Sequence, residues 1–431
     1  MDSPEITGSP ENPDSPDNAG SPEVTHVVVG FSVGLLNQLE RVLPAGSVLV
    51  VEEPAICEAR DVAGQLPRFN CAAGFVAAPV QDGAVRLADH VDRPAAVRAV
   101  LPALEYTVVP AAELAEAWGL PNGGPAAVRL FRDKALLREA TRPAGVAQPD
   151  WQRIDGPEDV ARFRDAHGGE CVLKPTHLQG SLGVQLLGPD DDIDEAWKRT
   201  EAADQPHLRT PHAGQAGYVV EEWLHGGEFS VEALVHEGRV VFLNTTETQL
   251  YPGPHPVERG HIVPAPAGAA AEPAVHALVA ATGFRTGILH AEWIIRDGEP
   301  HLLECAARLP GGYIPFLIGL AYGSDLFRGY LDVLEGKAPE MAAAPVRGAA
   351  VRFLDAAPGV VREVRGVDAA QSSPGVEYTW VSVEPGGTVP PLTASGSRVG
   401  EIVAYGADRE EAAANALAAA TAIEIVVDPL P

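Results

Sequence analysis

An α/β fold in several parts is what the sequence predicts, with an open parallel α/β unit first and a larger, mainly antiparallel sheet after it. Three observations carry this. The stretch THVVVGFSVGLLNQLERVL reads as a buried strand (Val27 to Val29), a glycine turn and an amphipathic helix, and GSVLVVEEP adds a second strand, making a βαβ opening. From 218 to 310 the runs YVVEEWL, FSVEALV, RVVFLNTT, ILHAEWIIR and HLLECAA are separated by turn signals such as Glu237-Gly238 and Asp297-Gly298, which suits antiparallel neighbours. The length of 431 residues exceeds what one compact core holds, so two or three domains are expected.

In chain order, residues 1–22 repeat SPE, SPD and GSP without apolar periodicity, and such a composition cannot offset its ordering entropy; a disordered tail is expected there. Gly30 and Gly34 follow the first strand, but GxGxxG is absent, so no dinucleotide fingerprint is read. Helical and strand patterns alternate from 130 to 220. After the antiparallel runs come a helix-rich section at 313–336, strands near 348–405 and an alanine-rich helix at 408–421.

The formal charge of -28 disfavours phosphate backbones and anionic membranes, so the expected partners are small molecules, with no nucleic acid and no membrane. No run reaches the roughly 18 apolar residues of a membrane span, and the start lacks a signal-peptide profile, so a cytoplasmic location is expected. Cys57, Cys71, Cys171 and Cys305 are widely spaced, with no CxxC pair, and read as reduced, mostly buried small hydrophobes. Of the 31 basic residues only Lys134, Lys174, Lys198 and Lys337 are lysines. A compact ammonium kept where arginine is otherwise the rule marks positions where the two differ in what they can do.

Four segments carry candidate chemistry. In LFRDKALLREA, Lys134 opens a helix-like stretch; a surface lysine is the plain alternative. In CVLKPTHLQGSLGV, Lys174 ends an apolar strand, and a loop with Gly180, Ser181 and Gly183 follows, which can turn backbone N–H groups onto phosphate oxygens or serve only as a hairpin turn. In YVVEEWLHGGEFSVEAL, a strand ends at Glu221 and Glu222, where main-chain groups can bond an adenine edge, and Glu228 lies beyond as a ribose acceptor; acids at strand ends are common without such a role. In HAEWIIRDGEPHLLECAAR, the Asp297-Gly298 turn joins two strands carrying Glu292 and Glu304. Two carboxylates converging from neighbouring strands suit magnesium, and without a cation they would repel.

Taken together, these segments resemble the ATP-grasp superfamily over roughly residues 25–425. The resemblance implies an amino-terminal pre-ATP-grasp α/β domain (23–115), linker helices and a lid subdomain (116–220), and a carboxy-terminal domain with the metal and substrate site (221–431). It implies ATP with Mg2+, or Mn2+ in its place, as cofactors. Lys134 and Lys174 would contact the phosphates, the loop Gln179, Gly180, Ser181 and Gly183 would cover them, Glu221, Glu222, Trp223 and Leu224 would form the adenine hinge, and Glu228 would take the ribose. Glu292 and Glu304 would hold the metal.

The family's metal strand commonly reads E-x-N-x-R, whereas Glu304-Cys305-Ala306-Ala307-Arg308 has Ala306 at the Asn position. Biotin carboxylases, which share this branch of the fold, continue as R-x-Q-V-E-H; here Leu-Pro-Gly-Gly-Tyr follows Arg308. That pattern, with the loop Glu258-Arg259-Gly260-His261 and the tail SRVGEIVAYGADREEAAANAL, is similar to the L-amino acid ligases, which are carboxylate-amine ligases. The resemblance implies amide or peptide bond formation through an acyl phosphate, with an amino acid as at least one substrate. Arg308 would orient the activated carboxylate, His261 would serve the tetrahedral intermediate or the amine proton, and Glu258 would pair with an ammonium. The alternatives are another ATP-grasp ligase or carboxylase, or a non-catalytic nucleotide-binding protein. The oligomeric state stays open, with a homodimer as one outcome.

Overall fold

The computed structural model describes residues 23–429 except positions 82, 84, 207, 209–216 and 254. The tail expected over 1–22 lies outside the described residues.

The amino-terminal sheet contains β1 (His26–Val29), β2 (Val48–Glu52), β3 (Ala72–Ala77) and β4 (Ala99–Pro102), in the order β3-β2-β1-β4 and all parallel. Val27, Val28 and Val29 are all buried, the unbroken apolar run of a strand covered on both faces. At the turn after β1, Gly30 has φ +97°, and a Cβ there would lie 2.8 Å from Thr107 Cγ2, so only glycine fits. The Glu52 carboxylate accepts the N–H groups of Phe31 and Glu53, both at 2.7 Å. An acid rather than a phosphate therefore occupies this turn.

A second sheet is built from β5 (Trp151–Ile154), β6 (Cys171–Pro175), β7 (Gln185–Leu187) and β8 (Tyr218–Glu221), antiparallel in the order β5-β8-β6-β7. Helices Pro157–Ala166 and Ile193–Glu201 cover it, burying Val160, Phe163 and Trp197 against Leu173 and Val220.

The rest of the chain supplies β9 (Gly227–His236), β10 (Arg239–Leu250), β11 (Glu258–Val263), β12 (Gly287–Arg296), β13 (Glu299–Ala306), β14 (Gly348–Leu354), β15 (Gly359–Arg365), β16 (Val376–Val381), β17 (Thr388–Val389), β18 (Gly400–Gly406) and β19 (Glu424–Asp428). Eight of them form one antiparallel sheet, β13-β12-β9-β10-β11-β14-β18-β16, and three form a small one, β17-β15-β19. Helices 314–322 and 326–334 pack with the first helix, Val33–Val42, in one core, while helix Gly268–Thr282 packs on the other face of β9 and β12. No helix is long and apolar enough to cross a membrane among the described residues.

Side-chain alternation makes the large sheet two-faced where it matters. Phe229, Val231, Ala233 and Val235 of β9, with Leu289, Ala291 and Trp293 of β12, enter one core. The intervening positions are Glu228, Ser230 and Glu232, with His290 and Glu292, so the opposite face carries a polar floor. In β13 a bulge keeps this pattern: Glu292 pairs with Glu304 and Trp293 with Leu302, which leaves Leu303 out of the pairing. Strict alternation would send Glu304 to the same side as the buried Leu302. The extra residue puts Cys305 in that core instead, and Glu304 on the polar side.

Candidate active site

The polar floor opens into a cavity of about 940 Å3, bounded by the first helix and the turn after β4 at one end and by the ends of β9, β11 and β13 at the other. Lys134, Gln179, Gly180, Glu228, Glu258, His261, Glu292, Glu304 and Arg308 all line it. The same cavity is lined by Ala306. Lys174, Ser181, Gly183, Glu221, Glu222, Trp223 and Leu224 lie outside its lining.

Lys134 begins its helix behind the cap Asp133, and its Nζ donates to Leu178 O at 3.1 Å and pairs with Glu304 Oε2 at 2.8 Å. Burial would push the Glu304 carboxyl up, but Lys134, with Lys174 and His290 behind it, outweighs this and holds the group down at about 2. Glu292 moves the other way, raised by burial and by the Glu304 charge. His290 bridges Glu292 at 3.3 Å and Glu232 at 3.0 Å; burial opposes its charge, yet these carboxylates raise it to about 9. Glu232 in turn accepts from Ser230 (2.6 Å), Asn244 (2.7 Å) and Thr246 (2.8 Å). Against the cost of burial, these bonds and the one from His290 keep it ionised.

Arg308 donates through Nε to Glu105 Oε2 at 2.7 Å and through Nη1 to Leu309 O at 3.0 Å. Arg132 holds the other oxygen of Glu105 at 2.9 Å. Burial would raise the Glu105 carboxyl, but the two guanidiniums keep it below the usual range. On β11, His261 has its Nδ1 3.4 Å from Thr248 Oγ1, and burial lowers its pKa to about 4, so the imidazole is neutral at physiological pH. A Cβ on Gly312, at φ +63°, would sit 2.7 Å from His261 Nε2; the second glycine after Arg308 is what admits this ring. Glu258 accepts from Ser395 and faces Arg398 at 3.6 Å.

The glycine loop takes positive φ at Gly180, Ser181 and Gly183, and the Ser181 hydroxyl donates to Pro256 O at 3.1 Å, tying the loop to the segment before β11. Lys174 is paired with Glu221, whose other oxygen is held by the buried Arg138. Glu222 pairs with Arg296 at 2.6 Å, and its N–H donates to Asp150 O. Trp223 stacks on His225, and Leu224 is buried.

Among the described residues no three His, Cys, Asp or Glu side chains come together as a metal cluster. Glu292 and Glu304, opposed across β12 and β13, are the oxygen donors on offer, and their mutual repulsion is what a divalent cation would relieve. A two-carboxylate set fits magnesium, which keeps waters and shares phosphate oxygens, better than a metal that needs a full protein cage. Ala306 adds no donor.

Sequence reasoning missed Glu105, Arg132, Arg138, Glu232 and Arg398. Glu105 had a usable signal, an acid just past the carboxyl end of a parallel strand, where such sheets place ligands. Glu232 sits in the same alternation as Glu228, another readable sign. Arg398 lies in a turn and had none.

Two family models match the chain: an ATP-grasp domain over residues 168–315 and an L-amino acid ligase C-terminal domain 2 over residues 352–428. The chain carries an ATP-grasp domain over residues 168–315. Among curated relatives, this chain is 26% identical over 303 residues to an uncharacterised protein of Sinorhizobium fredii, covering 68% of this chain and 61% of that one. It is 27% identical over 252 residues to the alanine–anticapsin ligase of Bacillus subtilis, covering 53% of this chain and 52% of that one. The chain thus spans about half to three fifths of the length of these relatives. An L-amino acid ligase structure from Bacillus licheniformis has a TM-score of 0.75 at 19% identity, over 95% of this chain and all of that one, which is a likeness of fold.

Proposed function

We propose that this ATP-grasp protein is an ATP-dependent carboxylate-amine ligase that forms an amide through an acyl phosphate, with an amino acid as at least one substrate. One observation carries it: a single cavity joins the Lys134–Glu304 and Glu292 cluster to Arg308 and to the neutral His261. Those are the groups needed to move a phosphoryl group, hold a carboxylate and receive an amine.

A substrate carboxylate is a poor electrophile because its charge repels nucleophiles. Arg308, steadied by Glu105, presents its remaining N–H groups to that carboxylate as it attacks the γ-phosphate of ATP, releasing ADP. Lys134 and Lys174 stand as the phosphate contacts, and Lys174 must first leave Glu221. Glu292 and Glu304 would hold Mg2+, which when bound offsets charge on the phosphates. In the second step the amine nitrogen forms the C–N bond, the C–O bond to phosphate breaks, and phosphate leaves. The amine proton passes to a base, and the neutral His261 on the cavity wall is the candidate for it. The loop at 179–183, tied to the segment before β11 by Ser181, would act as the lid that keeps water from hydrolysing the acyl phosphate once ATP is bound. The hinge roles of Glu221 to Leu224 and the ribose role of Glu228 belong to the same proposal.

The test is a screen of amino acids with ATP, Mg2+ and hydroxylamine, read as hydroxamate and ADP. Hydroxamate names the activated acid, and Glu304→Gln should lower its rate about 100-fold or more. The second reading, a non-catalytic nucleotide-binding protein, rests on Ala306; ATP binding without ADP release with any acid would favour it. A carboxylase is disfavoured by the residues after Arg308.

A further inference from the structure

We propose that Arg398 anchors the carboxylate of the amine substrate, with Glu258 as the partner of its nitrogen; this rests on the ligase reading and names the residue that selects the acceptor. Arg398 stands just before β18 and lines the cavity. Its guanidinium carbon lies 3.7 Å from the centroid of the Phe353 ring, a stacking that fixes the plane of the fork. Its Nη1 is buried and makes no hydrogen bond, although Glu258 Oε2 is 3.6 Å away. That separation is beyond hydrogen-bond reach, so a desolvated N–H has been left next to a carboxylate without closing on it. Glu258 is meanwhile steadied by the Ser395 hydroxyl.

The neighbouring groups narrow what can enter. Glu401, the other acid near Arg398, is engaged by the Tyr313 hydroxyl, and the Tyr313 ring stacks on Tyr378, with both rings on the cavity wall. This corner therefore offers one loose Arg–Glu pair between aromatic rings. A neutral pair of opposite charges is complementary to a zwitterion: the carboxylate meets the planar fork, the ammonium meets Glu258, to which it passes the proton it must lose before the amine attacks, and no net charge is buried. Arg308 reaches the cavity from the end of β13 and Arg398 from the start of β18, strands on opposite sides of β11, which carries His261. The two arginines so divide the carboxylates, one for the acid that is activated and one for the acid that is spared.

The experiment compares each acceptor amino acid with its carboxamide, which keeps the side chain and amine but lacks the carboxylate, using an activated acid found by the hydroxylamine screen. The wild-type protein should prefer the free acid. In Arg398→Gln the ratio of kcat/KM for acid over carboxamide should fall roughly tenfold to a hundredfold, with the loss in acceptor KM. Arg398→Lys should keep part of the preference through its charge. Because both acceptors report on the same folded molecules, the ratio does not depend on how much variant folds. A wild-type protein indifferent to the carboxylate, or a ratio unchanged in both variants, overturns the assignment while leaving the ligase reading intact. Wild-type protein that forms no hydroxamate overturns both.

Discussion

Glu221 and Glu292 are two glutamates on strands of two different sheets, and they are treated oppositely. Glu221 is almost fully buried and has Lys174 on one oxygen and Arg138 on the other, with Arg138 also donating to Leu302 O and Leu303 O. Glu292 faces the cavity across from Glu304, shares His290 with Glu232, and is raised by burial and by its like-charged neighbour. In the first centre both carboxylate oxygens are engaged, one by Arg138 and one by the Lys174 that the proposed function releases to the phosphates. In the second, Lys134 and His290 face three carboxylates, Glu232, Glu292 and Glu304, and the negative charge left over is what a cation would balance. In a folded chain a saturated ion pair reports on architecture, and an unbalanced one reports on a ligand.

That contrast can be broken most forcefully at Glu221. Glu221→Gln would leave the buried Arg138 and the partly buried Lys174 without a counter-charge and should cost about 3–5 kcal/mol in urea unfolding. A change within a few tenths would mean that Lys174 and Arg138 find other partners and that the centre is not structural.

A second buried charge site sharpens the comparison through pH. His26 is fully buried against Glu335 at 3.1 Å; burial outweighs that acid and lowers its pKa from 6.5 to about 4. Between those values the unfolded chain binds the proton that the folded one refuses, so the stability is present above pH 6.5 and is lost as the pH falls toward 4. The loss should be on the order of 3 kcal/mol, seen as a falling urea midpoint, and His26→Gln should flatten that part of the profile.

The smallest effect is the most telling for the cavity. Glu292→Gln removes a like charge and should leave stability without Mg2+ unchanged or raise it by about 0.2–1 kcal/mol. The same variant should lose the rise in Tm that Mg2+ with ATP gives the wild-type protein. A large loss of stability without Mg2+ would place Glu292 in the same class as Glu221.

How far the sequence could be read varied by element. The βαβ opening was legible because three consecutive buried valines and a glycine turn are local signals. The hairpin of β12 and β13 was legible from Asp297-Gly298, and with it the opposition of Glu292 and Glu304. Lys174 is the instructive miss in detail: its position at a strand end was plain, but its engagement with Glu221 was not, since the two are brought together only by the pairing of β6 with β8. Arg398 was invisible, because a turn arginine carries no periodicity.

By itself, then, the sequence determined the kind and order of the elements and the residue types available to the site. Those depend on backbone preferences and on alternation over a few neighbours, which a single strand or helix expresses locally. The tertiary structure alone decided which charges meet: Arg308 with Glu105 across 203 positions, Arg398 with Glu258, and Glu304 turned to the polar face by one unpaired residue. Coulomb and hydrogen-bond energies depend on distances of a few ångströms, and such distances between remote residues exist only once the sheets have been stacked.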